Sequence, residues 1–172
     1  MALSMCEYIW LGGGSYDIRE LRSKARVLDL PASPKVSDFK DWSFDGSSTG
    51  QAEGHDSDCI LKPVNFINDP VRGEGNYLVL CEVYNPDGET VHASNSRAQL
   101  RAVLDAGGAK SETWIGLEQE YTLFQGRTPL GWPEQGYPGP QGPYYCGVGS
   151  EEIFGREVVE DHASACLEAG LM

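Results

Sequence analysis

Four strand-like runs fill the first ninety positions, and no helix-length apolar period separates them. They are Glu7 to Leu11, Leu21 to Asp29, Cys59 to Asn65 and Tyr77 to Tyr84, the last being the most apolar. Gly, Pro, Asn and Asp clusters punctuate them, as in Asn68-Asp69-Pro70 and Asn85-Pro86-Asp87-Gly88. A chain patterned this way must build a small sheet first. Near Ser94 the period changes. Ser94 or Asn95 can cap a helix carrying Leu100, Val103 and Leu104 on one face, and Gly107-Gly108 ends it. The expected division is therefore a sheet domain over 1–93 and a second domain beginning at 94 and running to 172.

Gly12-Gly13-Gly14 follows the first strand without the Gly-Lys-Ser/Thr of a phosphate loop, so it reads as a hairpin feature. In the second strand Arg22, Lys24 and Arg26 share a face, opposite Ser23, Ala25 and Val27. A basic stripe can meet phosphate, but a solvated strand face is the simpler expectation. Pro31 to Lys40 reads as a linker. Trp42 to Gly50 then places aromatics around Asp45-Gly46-Ser47-Ser48-Thr49, an Asx-type turn.

With 26 acidic against 13 basic residues the formal net charge is −13. That balance argues against a nucleic-acid backbone or an anionic membrane surface as partner. No apolar run reaches membrane-spanning length and no leader-type pattern opens the chain, so a cytoplasmic protein is expected. Cys6, Cys59, Cys81, Cys146 and Cys166 are odd in number and form no Cys-x-x-Cys pair, which disfavours a zinc site or disulfide framework. His55 and His92 have no partner at metal-ligand spacing.

Residues 113–123, Thr-Trp-Ile-Gly-Leu-Glu-Gln-Glu-Tyr-Thr-Leu, read as a further strand. At i and i+2 of a strand, Glu118 and Glu120 would share a face, with Leu117, Gln119 and Tyr121 opposite. Adjacent carboxylates repel unless a cation offsets them, and hard Mg²⁺ or Mn²⁺ suits carboxylate oxygen. A solvated face is the bland alternative for a bare Glu-x-Glu. After it, Gly126 to Gly149 holds five prolines, seven glycines, and Trp132, Tyr137, Tyr144 and Tyr145, the composition of a structured wall rather than a flexible linker. A helix over about 151–169 closes the chain, with Phe154, Val158, His162, Ala165 and Cys166 near one face, His162 at the edge of a core, and Gly170 as terminator.

Taken in order, these blocks resemble glutamine synthetase of the eukaryotic-like type II class. The matching segments are Glu-Tyr-Ile-Trp at 7–10, Leu-Arg-Ser-Lys-Ala-Arg at 21–26, Trp-Ser-Phe-Asp-Gly-Ser-Ser-Thr at 42–49 and Leu-Cys-Glu-Val at 80–83. Gly-Leu-Glu-Gln-Glu-Tyr-Thr-Leu at 116–123 and Pro-Gly-Pro-Gln-Gly-Pro-Tyr-Tyr-Cys-Gly-Val-Gly at 138–149 complete the set. The resemblance implies an α+β chain: a β-grasp-like N-terminal domain, then the start of the α/β catalytic domain, with the later part of the family sequence absent.

The resemblance also implies an activity, the ATP-dependent condensation of glutamate with ammonia through γ-glutamyl phosphate. Glu118 and Glu120 correspond to metal-binding carboxylates, Glu118 toward the metal contacting ATP and Glu120 toward the metal nearer glutamate. Asp45, with Ser48 in the same loop, corresponds to the aspartate a neighbouring subunit lends to the ammonium pocket. Trp114 falls where an aromatic residue lies near the nucleotide. By the same analogy the partners are glutamate, ammonium, ATP and further copies of the chain in a decamer of two pentameric rings. The family's remaining metal glutamates, its metal histidine and its substrate arginines have no counterpart here, so the chain alone is expected to be inactive. A γ-glutamyl ligase using a larger amine is an alternative that would not need Asp45. A non-catalytic β-grasp interaction module is another, which a natural stop codon after Met172 would support.

Overall fold

Strand β1 (Ala2–Leu11) alternates: Ser4, Cys6, Tyr8 and Trp10 are buried, and the residues between them are not. A computed structural model describes residues 2–13, 20–137, 146–149 and 152–171. β1 lies at the centre of a sheet because both of its edges are paired. On one side it runs antiparallel to β2 (Leu21–Leu30), from Ala2 opposite Leu30 to Leu11 opposite Leu21. On the other it runs parallel to β5 (Tyr77–Tyr84), from Cys6 opposite Tyr77 to Ile9 opposite Leu80. β4 (Asp58–Asn68) pairs antiparallel with β5 and with the short β3 (Trp42–Asp45), giving the order β2-β1-β5-β4-β3. A bulge between Pro63 and Asn65 breaks the β4–β5 register, where Pro63 has no N–H to give the ladder. This mixed sheet with its central parallel pair agrees with the β-grasp expectation.

One face of the sheet carries the core: Cys6, Tyr8, Trp10, Phe44, Cys59, Leu61, Val79, Cys81 and Val83. Residues 31–40, expected as a linker, instead help close this face. Phe39 is buried there, 4.7 Å from the Phe66 ring and 5.6 Å from Tyr77, and the Tyr8 hydroxyl donates to the Lys40 carbonyl at 2.7 Å. One phenylalanine in a Pro/Lys/Asp context carries no period, so its burial was not visible in the pattern. Burial raises the Cys59 thiol pKa and pushes Cys6 up to about 11 and Cys81 to about 12, so these thiols are inert packing groups.

The basic stripe of β2 is a second correction. Arg22 is exposed as expected, but Lys24 and Arg26 are half-buried: Lys24 Nζ lies 3.6 Å from the Trp42 ring centroid and donates to the Ser43 carbonyl at 2.8 Å. The Arg26 guanidinium lies 5.0 Å from the same centroid. Their charged heads lie over the half-buried Trp42 ring, so the cations line the core's rim.

On the opposite face a three-residue clasp ties the β4–β5 turn to β1. The Arg72 guanidinium pairs with both Glu7 and Asp69. Asp69, 1% exposed, also accepts the Val71 and Arg72 amides at 2.9 and 3.1 Å. Helix α1 (Ser96–Asp105) follows, capped by the Asn95 side chain, which accepts the Ala98 amide at 3.0 Å. Arg97 pairs with Glu82, and Asn95 Nδ2 donates to Val83 O, so the helix start is bound to β5. Its Leu100 and Val103 are exposed.

The chain divides into compact units at Thr113/Trp114, beyond the 93/94 division read from the sequence, because α1 is tied to the sheet it follows. The second unit holds the two-residue strands β6 (Phe124–Gln125) and β7 (Thr128–Pro129) and helix α2 (Arg156–Glu168). The helix starts later than expected because Gly155 takes φ 74, outside helical space. It ends as expected: Gly170 has φ 84, its amide bonds Leu167 O, and the Leu171 amide reaches Cys166 O, a Schellman closure. His162 is exposed rather than at a core edge, and Val158 is 55% exposed. No helix among the described residues is long and apolar enough to cross a membrane.

The clasp sets the acid limb of stability. Burial works against the charged form of Asp69, but the Arg72 guanidinium and amide and the Val71 amide outweigh it and hold the carboxyl below its usual 3.8. The Ser23 hydroxyl, then Arg72, likewise lower Glu7. A carboxyl with a depressed folded pKa stabilises above its unfolded value and loses that contribution as pH falls through the folded one. Asp69→Ala is expected to cost roughly 2–4 kcal/mol at pH 7. Urea titrations at pH 7 and pH 3 should then show a smaller pH difference for the variant than for the parent chain.

Candidate functional site

Asp45 ends β3 and caps the 3₁₀ turn Gly46–Thr49. Its Oδ1 accepts the Ser47 amide at 3.0 Å and the Ser47 hydroxyl at 2.6 Å, and its Oδ2 accepts the Ser48 hydroxyl at 3.1 Å. These bonds, the Ser47 hydroxyl first, lower its pKa although the residue is exposed. The loop therefore presents a fixed, ionised carboxylate to solvent, and Asp45 and Ser48, paired in the sequence reading, meet in the structure.

The turn is close-packed from below. A Cβ on buried Gly46 would stand 2.7 Å from Cys59 Sγ and 3.0 Å from Ala52 Cβ. The Gly46 amide donates to Ser57 O at 2.7 Å, and the Gln51 and Ala52 amides close back on Gly46 O at 2.8 and 3.2 Å. Gly50 turns the chain with φ 68. The sequence showed the Asx-type turn but not its anchors: His92 and Ser94, half-buried and buried, reach the loop's buried Gln51 from more than forty positions away.

The second unit holds the other expected site residues. Trp114 is 96% exposed, and Glu118 and Glu120 are exposed. Residues 113–123 do not form the expected strand. A strand exists by pairing its backbone, and within the second unit the described ladder joins only β6 to β7. The period-2 argument for a shared carboxylate face therefore has no sheet to act on. The donor chemistry still fits a hard divalent ion, since both side chains offer accessible carboxylate oxygen. What is missing is enough ligands: no group of three His, Cys, Asp or Glu able to hold a metal occurs among the described residues.

Of the Pro/Gly/aromatic segment, residues 138–145 lie outside the described residues, and with them most of the 138–149 block. The part described does pack. Trp132 and Tyr137 meet edge to face at 5.7 Å, and Gly131 and Gly155 let Phe154 and Leu123 approach where a Cβ would intrude. Tyr121, Leu123, Phe124, Leu130, Trp132 and Phe154 line an open cavity of ≈ 580 Å³ with apolar walls.

Residues 5–86 match the family described as glutamine synthetase, beta-Grasp domain. The chain is 54% identical over 166 residues to a glutamine synthetase of Streptomyces viridochromogenes, covering 96% of this chain and 47% of the relative. It is 48% identical over 174 residues to a chloroplastic glutamine synthetase of Chlamydomonas reinhardtii, covering 96% and 46%. A cytosolic isozyme of Pinus sylvestris is also 48% identical, over 169 residues, covering 97% and 46%. The chain spans about half the length of the curated relatives it matches.

The packing beneath Asp45 is directly testable. Gly46→Ala forces its new methyl against Cys59 Sγ and is expected to cost about 1–3 kcal/mol. Combining it with Cys59→Ala, which removes the obstructing sulfur, should recover part of that loss in a thermal-unfolding double-mutant cycle.

Proposed function

Because this chain belongs to the glutamine synthetase family, carrying its β-grasp domain over residues 5–86, we propose that it supplies the ammonium-binding loop and the first metal carboxylates of an ATP-dependent glutamate–ammonia ligase. The observation that carries the reading is the Asp45 loop: an exposed carboxylate, kept ionised by two serine hydroxyls and a backbone amide. An anion so held raises the local occupancy of NH₄⁺. By the family resemblance it would also help to remove a proton from the bound cation, releasing the ammonia nucleophile.

The reaction proposed is transfer of the ATP γ-phosphoryl group to the glutamate side-chain carboxylate. Ammonia then attacks the acyl phosphate, inorganic phosphate leaves, and the amide forms. Mg²⁺ or Mn²⁺ would neutralise charge on the transferring phosphoryl oxygens. Glu118 would face the ion on the nucleotide, Glu120 the ion near glutamate, and Trp114 would lie beside the nucleotide. These three residues are exposed and unconstrained by a sheet, so the proposal includes completion of their site by the rest of a full-length family member. It also includes a ring-type oligomer in which the Asp45 loop serves a neighbouring subunit's site. Cytoplasmic residence belongs to the same reading.

Three kinetic outcomes test the assignment in the full-length ligase. Asp45→Ala should raise the ammonium KM roughly 10- to 100-fold, the range that losing a charge-assisted hydrogen bond gives, and leave the ATP and glutamate KM values nearly unchanged. Glu118→Ala or Glu120→Ala should abolish turnover at saturating Mg²⁺ while sparing the fold. At ammonium concentrations too low for the Asp45→Ala enzyme to turn over, Asp45→Ala and Glu120→Ala subunits, once shown to have exchanged, should together regain partial activity. No recovery removes the shared-site model, and near-normal turnover by either glutamate variant removes the metal assignment.

A further inference from the structure

We propose that His92 is a positioning residue for the Asp45 loop, acting through a hydrogen-bond clamp with Gln51 and Ser94 that fixes where the loop holds its cation. The inference rests on the ammonium reading of Asp45 and deepens it. It starts from the connectivity. His92 Nε2 lies 2.6 Å from the Gln51 carbonyl, and Nδ1 lies 3.0 Å from the Ser94 amide and 2.8 Å from its hydroxyl. A carbonyl only accepts and a backbone amide only donates. The ring therefore carries its proton on Nε2 and accepts at Nδ1.

Gln51 is the piece the clamp grips. It is 6% exposed, yet every polar atom of its side chain is engaged. Its Nε2 donates to Ser94 Oγ at 2.8 Å and to the Leu11 carbonyl at 3.2 Å, and its Oε1 accepts the Thr49 hydroxyl at 2.9 Å. Thr49 and Gln51 belong to the turn that Asp45 opens, since Thr49 Oγ1 and the Gln51 amide both bond Gly46 O. Gly13 presses from the third side, where a Cβ would stand 2.5 Å from Gln51 Cγ and 2.6 Å from Thr49 O. The turn is thus held between the end of β1 and the segment entering α1. From that segment His92 bonds the loop's backbone by a ring that Ser94 orients.

A histidine here does two separable things, and two isosteres separate them. In His92→Gln the side-chain amide nitrogen can replace Nε2 as donor to Gln51 O, while the acceptor for Ser94 is lost. In His92→Asn the amide oxygen can replace Nδ1 as acceptor for Ser94, while the reach to Gln51 is lost. A positioning role predicts that Gln substitutes and Asn does not. A merely structural role in the 92–95 turn predicts the reverse.

Amide hydrogen exchange on the 172-residue chain decides between them. The Gln51 and Ala52 amides, both bonded to Gly46 O, report the loop, and the His92 and Asn95 amides, bonded to Val83 O and His92 O, report the turn. In His92→Ala and His92→Asn the loop amides should exchange at least about tenfold faster, with β1 and β5 amides unchanged as proof of folding. His92→Gln should return them near the parent rates. Unchanged loop amides in His92→Ala, or rescue by Asn instead of Gln, overturns the proposal. In the full-length ligase, His92→Ala should raise the ammonium KM with little change in kcat, and His92→Gln should restore it. If Asp45→Ala leaves that KM unmoved, the ammonium reading falls, while the loop amides still decide the positioning role.

Discussion

The parallel pairing of β1 with β5 is the join on which the rest of the first unit depends. Each strand brings its own antiparallel neighbours, β2 on one side and β4 with β3 on the other, so this ladder unites two local assemblies. The register that sets Tyr8 opposite Val79 also puts Cys6, Tyr8, Tyr77 and Val79 on one face, where the core forms. A slip of one residue would turn that whole set outward. The clasp of Glu7, Arg72 and Asp69 stands on the other face beside the same strand and ties the β4–β5 turn to it. Each face thus has its own device holding the two assemblies together.

That join also explains where the loop of Asp45 can be stiff. β3 is only four residues long and lies at the sheet edge, a poor platform by itself. Its terminal turn gains rigidity by contact with groups brought in by the central strands: Gly13 and the Leu11 carbonyl from the end of β1, and His92 and Ser94 from the chain leaving β5. A carboxylate at an edge, backed by central strands, is exposed for binding yet fixed in place. Those are the two requirements of a preorganised cation contact.

The sequence was legible where local rules suffice. Tyr77 to Tyr84 has the same limits in the structure, the Asn95 cap and the Gly170 terminator do what their residue types predict, and Asp45-Gly-Ser-Ser forms the expected side-chain-capped turn. It was not legible where a residue's role depends on a distant partner. Phe39 carries no period, yet it packs against both Phe66 and Tyr77. Lys24 and Arg26 have the alternation of a solvated face, but Trp42, from another strand, gives them a ring to cover. His92 had no metal-ligand spacing because its partners are a carbonyl and a serine.

The Glu-x-Glu segment shows the same limit from the other side. Alternation over 113–123 states which residues would share a face if a strand formed, but it cannot supply the neighbouring backbone that makes one. The Asp45 turn needs only its own serines and a sheet already built within the first unit, so it is complete. Two carboxylates side by side repel each other unless a cation and further ligands offset them, and this repulsion opposes any strand that would align them. The Asp45 loop and the Glu118/Glu120 pair therefore differ in kind. One is organised before its ligand binds, and the other requires partners outside its own segment, which is why the structure fixes Asp45 and leaves Glu118 and Glu120 open.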